Sequence, residues 1–332
     1  MVRLISDPTR RRLLRACAVI GASTLSDSGL TATVEQDLLD GGGMPYAAFD
    51  QMPFESVQIG DALIRIVFGP GAFELPRQRI VDFVRQSACT VALYFGRFPA
   101  RATRLLVLRT TSPGRPIRSG TAFGYQGAAV KLTLAASVTA TDLDRDWILV
   151  HEMSHLALPS LPRRHHWLEE GIASYVEPLA RAQAGLLNAE RVWGDMVKGM
   201  PQGLPQSGDQ GLDRTHTWGR TYWGGALYCL LADIEIRQAT DGHRGFQHAL
   251  KAILGHGNIE LESPIEPLLE IGDQATGAQV LASLYGRMKD SPYPVDLAKL
   301  WDRLGVRVAS GGIEFDDTAP WAAFRVAMTR PL

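Results

Sequence analysis

Apolar positions follow two regimes along the chain. Up to about residue 140 they come in short, β-rich blocks, and after it they recur mostly at helical intervals. Ala62-Leu63-Ile64-Arg65-Ile66-Val67-Phe68 is rich in β-branched and aromatic residues and closes on Gly69-Pro70-Gly71, which predicts a strand. Between Pro76 and Phe95, Ile80, Phe83, Val84, Ala88, Val91, Ala92 and Phe95 recur at three- and four-residue steps, an amphipathic helix. Leu105-Leu106-Val107-Leu108 predicts a short buried strand. Thr121 to Tyr125 and Ala129 to Leu134 predict a strand pair around Gln126-Gly127. Residues 61–140 are therefore expected to form a small mixed lobe, with 33–60 as a loose lead-in containing Gly41-Gly42-Gly43 and scattered prolines.

The second regime predicts a mainly helical lobe over 141–332, and the whole chain an α+β fold. Its first helix is expected to start at an N-cap on Thr141 or Asp142 and to run to about Leu158, where Pro159 and Pro162 forbid continuation. A second is expected over 167–184, and others over 188–198, 219–239, 243–254, 276–289 and 295–304. Gly199 to Asp213, rich in Gly, Pro and Gln, is expected as a surface loop. A hairpin around 306–315 is expected before a last helix. There is no internal repeat.

The first helix of this lobe contains His151-Glu152-Met153-Ser154-His155. Four residues is just over one helical turn, so both imidazoles lie on one face and reach a single metal ion, with Glu152 beside them. This is the His-Glu-x-x-His pattern of zinc peptidases, in which the glutamate is the candidate general base. A catalytic zinc usually takes three protein ligands and keeps a position for water, so two histidines are one ligand short.

The next helix supplies candidates. Trp167-Leu168-Glu169-Glu170-Gly171-Ile172-Ala173-Ser174-Tyr175-Val176-Glu177 resembles the ligand helix of the gluzincin metallopeptidases, most closely the aminopeptidase-N-like families, which reads Trp-Leu-Asn-Glu-Gly-Phe-Ala-Ser-Tyr-Val-Glu. Nine of eleven positions agree, with Glu169 for Asn and Ile172 for Phe. The resemblance implies that Glu170 is the third ligand, joining His151 and His155 on one Zn²⁺ ion. Its neighbour Glu169 is expected to point elsewhere, because adjacent helical residues diverge by about 100°. Fourteen residues separate His155 from Glu170, fewer than the resembled families place there, so the connecting loop must differ. Tyr222-Trp223-Gly224-Gly225 fits the families' Tyr-x-x-Gly pattern, whose tyrosine hydrogen-bonds the oxyanion of the tetrahedral intermediate.

The resemblance covers roughly residues 140–240. It implies a gluzincin (thermolysin-like) architecture, with a mixed lobe carrying an edge strand ahead of a helical lobe. It also implies peptide-bond hydrolysis by a zinc-activated water, with Glu152 as base and Tyr222 as oxyanion donor. The substrate would be a peptide or protein. Asp144, Asp146 and Glu177 are candidates for orienting the histidine rings. Two alternatives stay open: a zinc hydrolase of a non-peptide amide or ester, and a non-catalytic binding module on the same fold. Aminopeptidases of the resembled family grip the substrate's amine with the glutamate of a Gly-Ala-Met-Glu-Asn segment before the zinc helix. Here the corresponding region is near Gly120-Thr121-Ala122-Phe123-Gly124, and between Glu74 and Asp142 the only acidic residue is Asp82, inside the first predicted helix. The missing anchor tilts the reading from aminopeptidase toward a peptidase of open mode, whose edge strand is available to pair with an extended substrate.

Composition changes this picture little. A net charge of −1 offers no basic surplus for nucleic acid, and no apolar run reaches membrane-spanning length. Cys17, Cys89 and Cys229 lack the Cys-x-x-Cys spacing of a zinc ribbon. The N-terminus adds an address: Thr9-Arg10-Arg11-Arg12-Leu13-Leu14-Arg15, followed by the mildly apolar stretch Ala16 to Leu25, resembles a twin-arginine export signal over residues 1–32. A periplasmic or extracellular location is the expectation. No sequence feature sets an oligomeric state. Among residues outside the motif, His165 and His166 are expected to be exposed beside Arg163 and Arg164, and Trp193, Trp218 and Trp223 to serve packing.

Overall fold

The computed structural model describes residues 42–332, so the expected export segment lies outside the described residues. These residues divide into two compact units, with the division between Leu156 and Ala157.

The first unit is built on a five-stranded sheet. Its elements are α1 (Tyr46–Gln51), β1 (Glu55–Ile59), β2 (Ala62–Phe68), α2 (Arg77–Phe95), β3 (Ala102–Thr110), β4 (Ile117–Phe123), β5 (Ala129–Ala135), α3 (Ala140–Arg145) and α4 (Ile148–His155). The strand order is β1-β2-β3-β5-β4. β2, β3 and β5 run parallel, and β1 and β4 pair antiparallel with β2 and β5 at the two edges. A parallel neighbour cannot be reached by a tight turn, and α2 is the crossover between β2 and β3. Leu105, Leu106 and Val107 are consecutive and all fully buried. Successive strand residues face opposite sides, so both faces of the central strands are covered.

Two covers explain that burial. α2 packs on β1 and carries the predicted apolar stripe, with Ile80, Phe83, Val84, Ala88, Val91 and Ala92 all buried. The other cover comes from the stretch expected as a lead-in. Residues 46–51 form α1, 55–59 form β1, and Met44, Tyr46, Phe49 and Met52 pack with Val67, Leu106, Leu108 and Ala129 in one buried cluster. Asp50 joins Arg104 at 2.9 Å and Arg65 at 3.2 Å, and the hydrogen bonds from Arg104 hold its carboxyl below the usual carboxylate range.

The single helix expected over 141–158 is two. Thr139, not Thr141 or Asp142, is the N-cap of α3: its side chain accepts from the Asp142 amide, and the Asp142 carboxylate accepts from the Thr139 amide at 2.9 Å. This reciprocal capping box starts the helix early. Asp146 then turns extended, at φ −68° and ψ 148°, and its Oδ2 accepts from the Leu149 amide at 3.2 Å. The chain therefore restarts, and α4 is a separate eight-residue helix.

The second unit is helical with one hairpin. It holds α5 (His166–Gln183), α6 (Ala189–Gly199), α7 (Gly225–Ala239), α8 (Phe246–His256), α9 (Ile265–Thr276), α10 (Leu281–Met288), α11 (Leu297–Leu304), the hairpin β6 (Val306–Ala309) and β7 (Gly312–Phe315), and α12 (Ala322–Thr329). α9 was not foreseen, and the helix expected over 276–289 is α10 alone. Gly277, left-handed at φ 72°, ends α9 by letting its amide reach the Asp273 carbonyl. Asp273, 1% exposed, then receives the first amides of the next helix, from Val280, Leu281 and Ala282 at 2.7–3.1 Å. The stretch 199–213 is largely the expected exposed loop, but it opens with a 3₁₀ turn over Met200–Gly203 and is anchored by Met200 and Leu212, which are fully buried. Among the described residues no helix is long and apolar enough to cross a membrane.

Candidate metal centre

α4 presents the motif residues on a helix packed against α2 and β4. The His151 and His155 rings lie 4.9 Å apart, centroid to centroid, at 82°. His151 is 5% exposed, while Glu152 and His155 are half-buried. The reason for Gly120 on β4 is steric: a Cβ there would overlap the Glu152 side chain and come within 2.8 Å of Ile148. Glycine thus lets the edge strand run directly against the glutamate.

α5 carries the expected ligand helix. Glu169 does point away: its Oε1 accepts from the Leu161 amide at 2.9 Å, and its Oε2 is 3.1 Å from His166 Nδ1. Glu170 is 8% exposed, with His166 Nε2 at 3.4 Å from its Oε1. Glu177 pairs with Arg181 at 2.8 Å. His151, His155 and Glu170 form a group that could hold a metal ion, with one ligand atom from each lying within 4.8 Å of the others.

The short connection before α5 has its own anchors. Ser160 exchanges backbone hydrogen bonds with Leu261 and Ser263 at 2.8 and 3.0 Å, and its hydroxyl donates to the Ile259 carbonyl at 2.8 Å.

His165, expected to be exposed, is fully buried, whereas the His166 side chain is 51% exposed. Arg164 Nε donates to His165 Nε2 at 3.0 Å, and Tyr285 Oη donates to Asp213 Oδ2 at 2.7 Å while lying 3.1 Å from the same imidazole nitrogen. Trp167 Nε1 donates to the other oxygen of Asp213 at 2.8 Å. The first turn of the ligand helix is thus tied to α10 through buried polar groups. Burial pushes the His165 pKa below the usual histidine value, against the pull of Asp213. Burial and the Asp213 carboxylate push Tyr285 well up.

The sign follows from linkage. The folded chain holds a proton on His165 less tightly than the unfolded chain, which takes protons up below about pH 6.5, so its contribution is present above that pH and is lost on acidification. Tyr285 keeps its proton where an unfolded tyrosine ionises, so its contribution is lost above about pH 10. We expect the thermal midpoint to fall on both sides, and His165→Gln to flatten the acid limb relative to wild type. Equal acid slopes in the two proteins, measured by calorimetry from pH 5 to 8, would contradict this.

Tyr222 sits in a single π-helical turn over Arg220–Gly224, immediately before α7. Such turns are uncommon and concentrate at functional sites. Arg220 Nε lies 2.7 Å from Asp209 Oδ2, both side chains are almost fully buried, and Arg220 also donates to the Gly203 carbonyl. Burial lowers the Arg220 pKa, and Asp209 opposes the shift. The Trp218 ring stacks on Tyr222 at 5.6 Å and 26°.

The two glycines of the expected motifs meet. A Cβ on Gly171 would overlap the Gly225 backbone, and one on Gly225 would overlap the Trp167 carbonyl. Glu170-Gly171 and Tyr222-x-x-Gly225 are therefore two halves of one close helix crossing, between α5 and α7. Asp209, Arg220, Asp213 and Tyr285 were missed at the sequence level. Asp209 and Asp213 lie in a Gly- and Pro-rich stretch that offers no periodicity, and nothing local pairs them with partners 11 and 72 residues away.

No family model matches the sequence. No curated protein matches it. Among solved structures, an aminopeptidase N family protein from Idiomarina loihiensis is similar at a TM-score of 0.60 and 15% identity, covering 78% of this chain and 50% of that one. The chain has an aminopeptidase-N-like fold. An M1 zinc metallopeptidase from Deinococcus radiodurans is a weaker likeness, at a TM-score of 0.45 and 17% identity over 70% of this chain and 49% of that one. The chain spans about half the length of these structures. The aminopeptidase-N-like fold agrees with the architecture that the ligand-helix resemblance implies.

Proposed function

We propose that the chain is a zinc metallopeptidase. The observation that carries this reading is the grouping of His151, His155 and Glu170. Two imidazoles and a carboxylate are the donor set of catalytic zinc sites with three protein ligands and an open position, so the residues fit one Zn²⁺ ion. Bound there, zinc would supply Lewis acidity, polarising a carbonyl and making water acidic near neutral pH.

The chain's own residues supply the rest. Glu152, one residue from a ligand and pressed against glycine on β4, would take the proton of the attacking water at its carboxylate and return it to the departing amine. Tyr222 would donate a hydrogen bond from its phenolic hydroxyl to the developing oxyanion, and the buried Arg220–Asp209 pair supports holding that turn in place. β4 is the edge strand beside β5 and has no second ladder partner among the described strands. An extended peptide could add to it beside Glu152, against which Gly120 lets the strand lie. β4 and its flanks lack a carboxylate to grip an α-amine, which favours cleavage within a peptide over removal of its first residue.

The test is digestion of an end-blocked peptide library by the zinc-loaded protein, read by mass spectrometry. Internal cleavage abolished by a chelator and restored by zinc is expected. No cleavage of any peptide, together with chelator-sensitive hydrolysis of another amide or an ester, would overturn the reading.

A further inference from the structure

Seven tryptophans lie in the chain, all among the described residues, and their exposure is unequal. Trp167 and Trp193 are buried to 1% and below, and Trp223, Trp301 and Trp321 are half-buried. Trp147 and Trp218 alone are exposed, at 44% and 59%. These two are also the tryptophans in ring contact with residues of the site. Trp147 meets His151 edge-on at 5.4 Å and 85°, and Trp218 stacks on Tyr222 at 5.6 Å and 26°. The other tryptophan ring contacts, Trp193 with Trp301 and Trp167 with Tyr228 and Tyr285, are internal packing.

The backbone under Trp218 is held, although its side chain is not covered. The Arg220 amide donates to Thr217 Oγ1 at 3.3 Å, and the Thr221 amide donates to the Thr217 carbonyl at 2.9 Å. A Cβ on the next residue, Gly219, would overlap the Gln202 carbonyl, so the turn is closely packed from behind. The Trp218 indole is therefore carried on a held turn, with one face on Tyr222 and the rest open to solvent. An indole has a large apolar face that favours offset or edge contact with another ring and contact with aliphatic side chains.

We propose that Trp218 contacts the substrate and selects a large apolar or aromatic side chain beside the cleaved bond. This rests on the metallopeptidase reading, and the experiment separates the two. Two matched, end-blocked peptides are used, one with phenylalanine and one with alanine flanking the cleaved bond. Their kcat and KM are measured with the zinc-loaded enzyme, and their Kd with the Glu152→Gln protein, each with and without Trp218→Ala and Trp218→Phe.

Trp218→Ala is expected to raise KM and Kd about 10- to 100-fold for the phenylalanine peptide and less than about threefold for the alanine peptide, with kcat nearly unchanged. Trp218→Phe should restore most of the difference. Equal effects on both peptides, or a loss confined to kcat, would overturn the proposal and leave Trp218 as a support for Tyr222. If the wild type cuts neither peptide, the peptidase reading falls. The Kd values then decide alone: preferential binding of the phenylalanine peptide that needs Trp218 supports the proposal, and its absence overturns it.

Discussion

Replacing Glu152 by glutamine should lower kcat on any peptide found by the library digest by about 10²- to 10⁴-fold while leaving zinc content unchanged. The amide is nearly isosteric with the carboxylate, so the close fit against Gly120 is kept and α4 keeps its packing on α2 and β4. What disappears is the basic oxygen. Glutamine cannot take a proton from water at neutral pH, whereas the proposed ligands His151, His155 and Glu170 are untouched. Steady-state kinetics with metal analysis of the same preparation checks both halves. A variant that retains more than about a tenth of the wild-type kcat would remove Glu152 from the base role, since general-base catalysis contributes at least about 10²-fold. A variant that loses its zinc would instead show that Glu152 supports the site's structure.

The motif helix illustrates how far the sequence reached and where it stopped. The i, i+4 spacing of His151 and His155 needs only helical geometry, and the rings do lie side by side. β2 occupies the residues that its β-branched run marked, and α2 falls within one residue of its apolar stripe. Elements whose signal is local were legible. Those whose stability comes from distant partners were not. Tyr46 and Phe49 show no periodicity of their own, and α1 is held by Val67, Leu106 and Ala129 from strands far along the chain.

The break at Asp146 was hidden for a different reason. Thr139, Thr141 and Asp142 are all acceptable caps, and only the reciprocal bonds between Thr139 and Asp142 decide the start. A start at residue 140 and an extended Asp146 then leave α4 as a helix of its own. His165 was misjudged because two arginines precede it. Its burial is set by Tyr285 on α10 and by Asp213, which no local pattern links to it. The candidate ligands and base were readable as chemistry, while the clamp around Tyr222 and the polar ties of the ligand helix are tertiary.

Gly171→Ala should destabilise the second unit by about 3 kcal/mol or more, a small-to-large change at the upper end of what such substitutions cost. Alanine is the better helix former by about 1 kcal/mol, so propensity alone predicts a gain. Packing reverses the sign. The added methyl would enter the Gly225 backbone, which has no rotamer to move and is itself pressed on the Trp167 carbonyl. Relief requires the two helices to separate, and each carries a site residue close to the contact: Glu170 precedes Gly171, and Tyr222 lies three residues before Gly225. The variant should therefore lose thermal stability and zinc affinity together, measured by calorimetry and by competition with a chromogenic chelator. Gly277→Ala is the control, a C-terminal glycine at φ 72° with open space around it, where only backbone strain is added. It should cost less and leave zinc affinity alone. If Gly171→Ala behaves like that control, the crossing of α5 and α7 tolerates a wider spacing, and the paired glycines are not what holds Glu170 and Tyr222 in register.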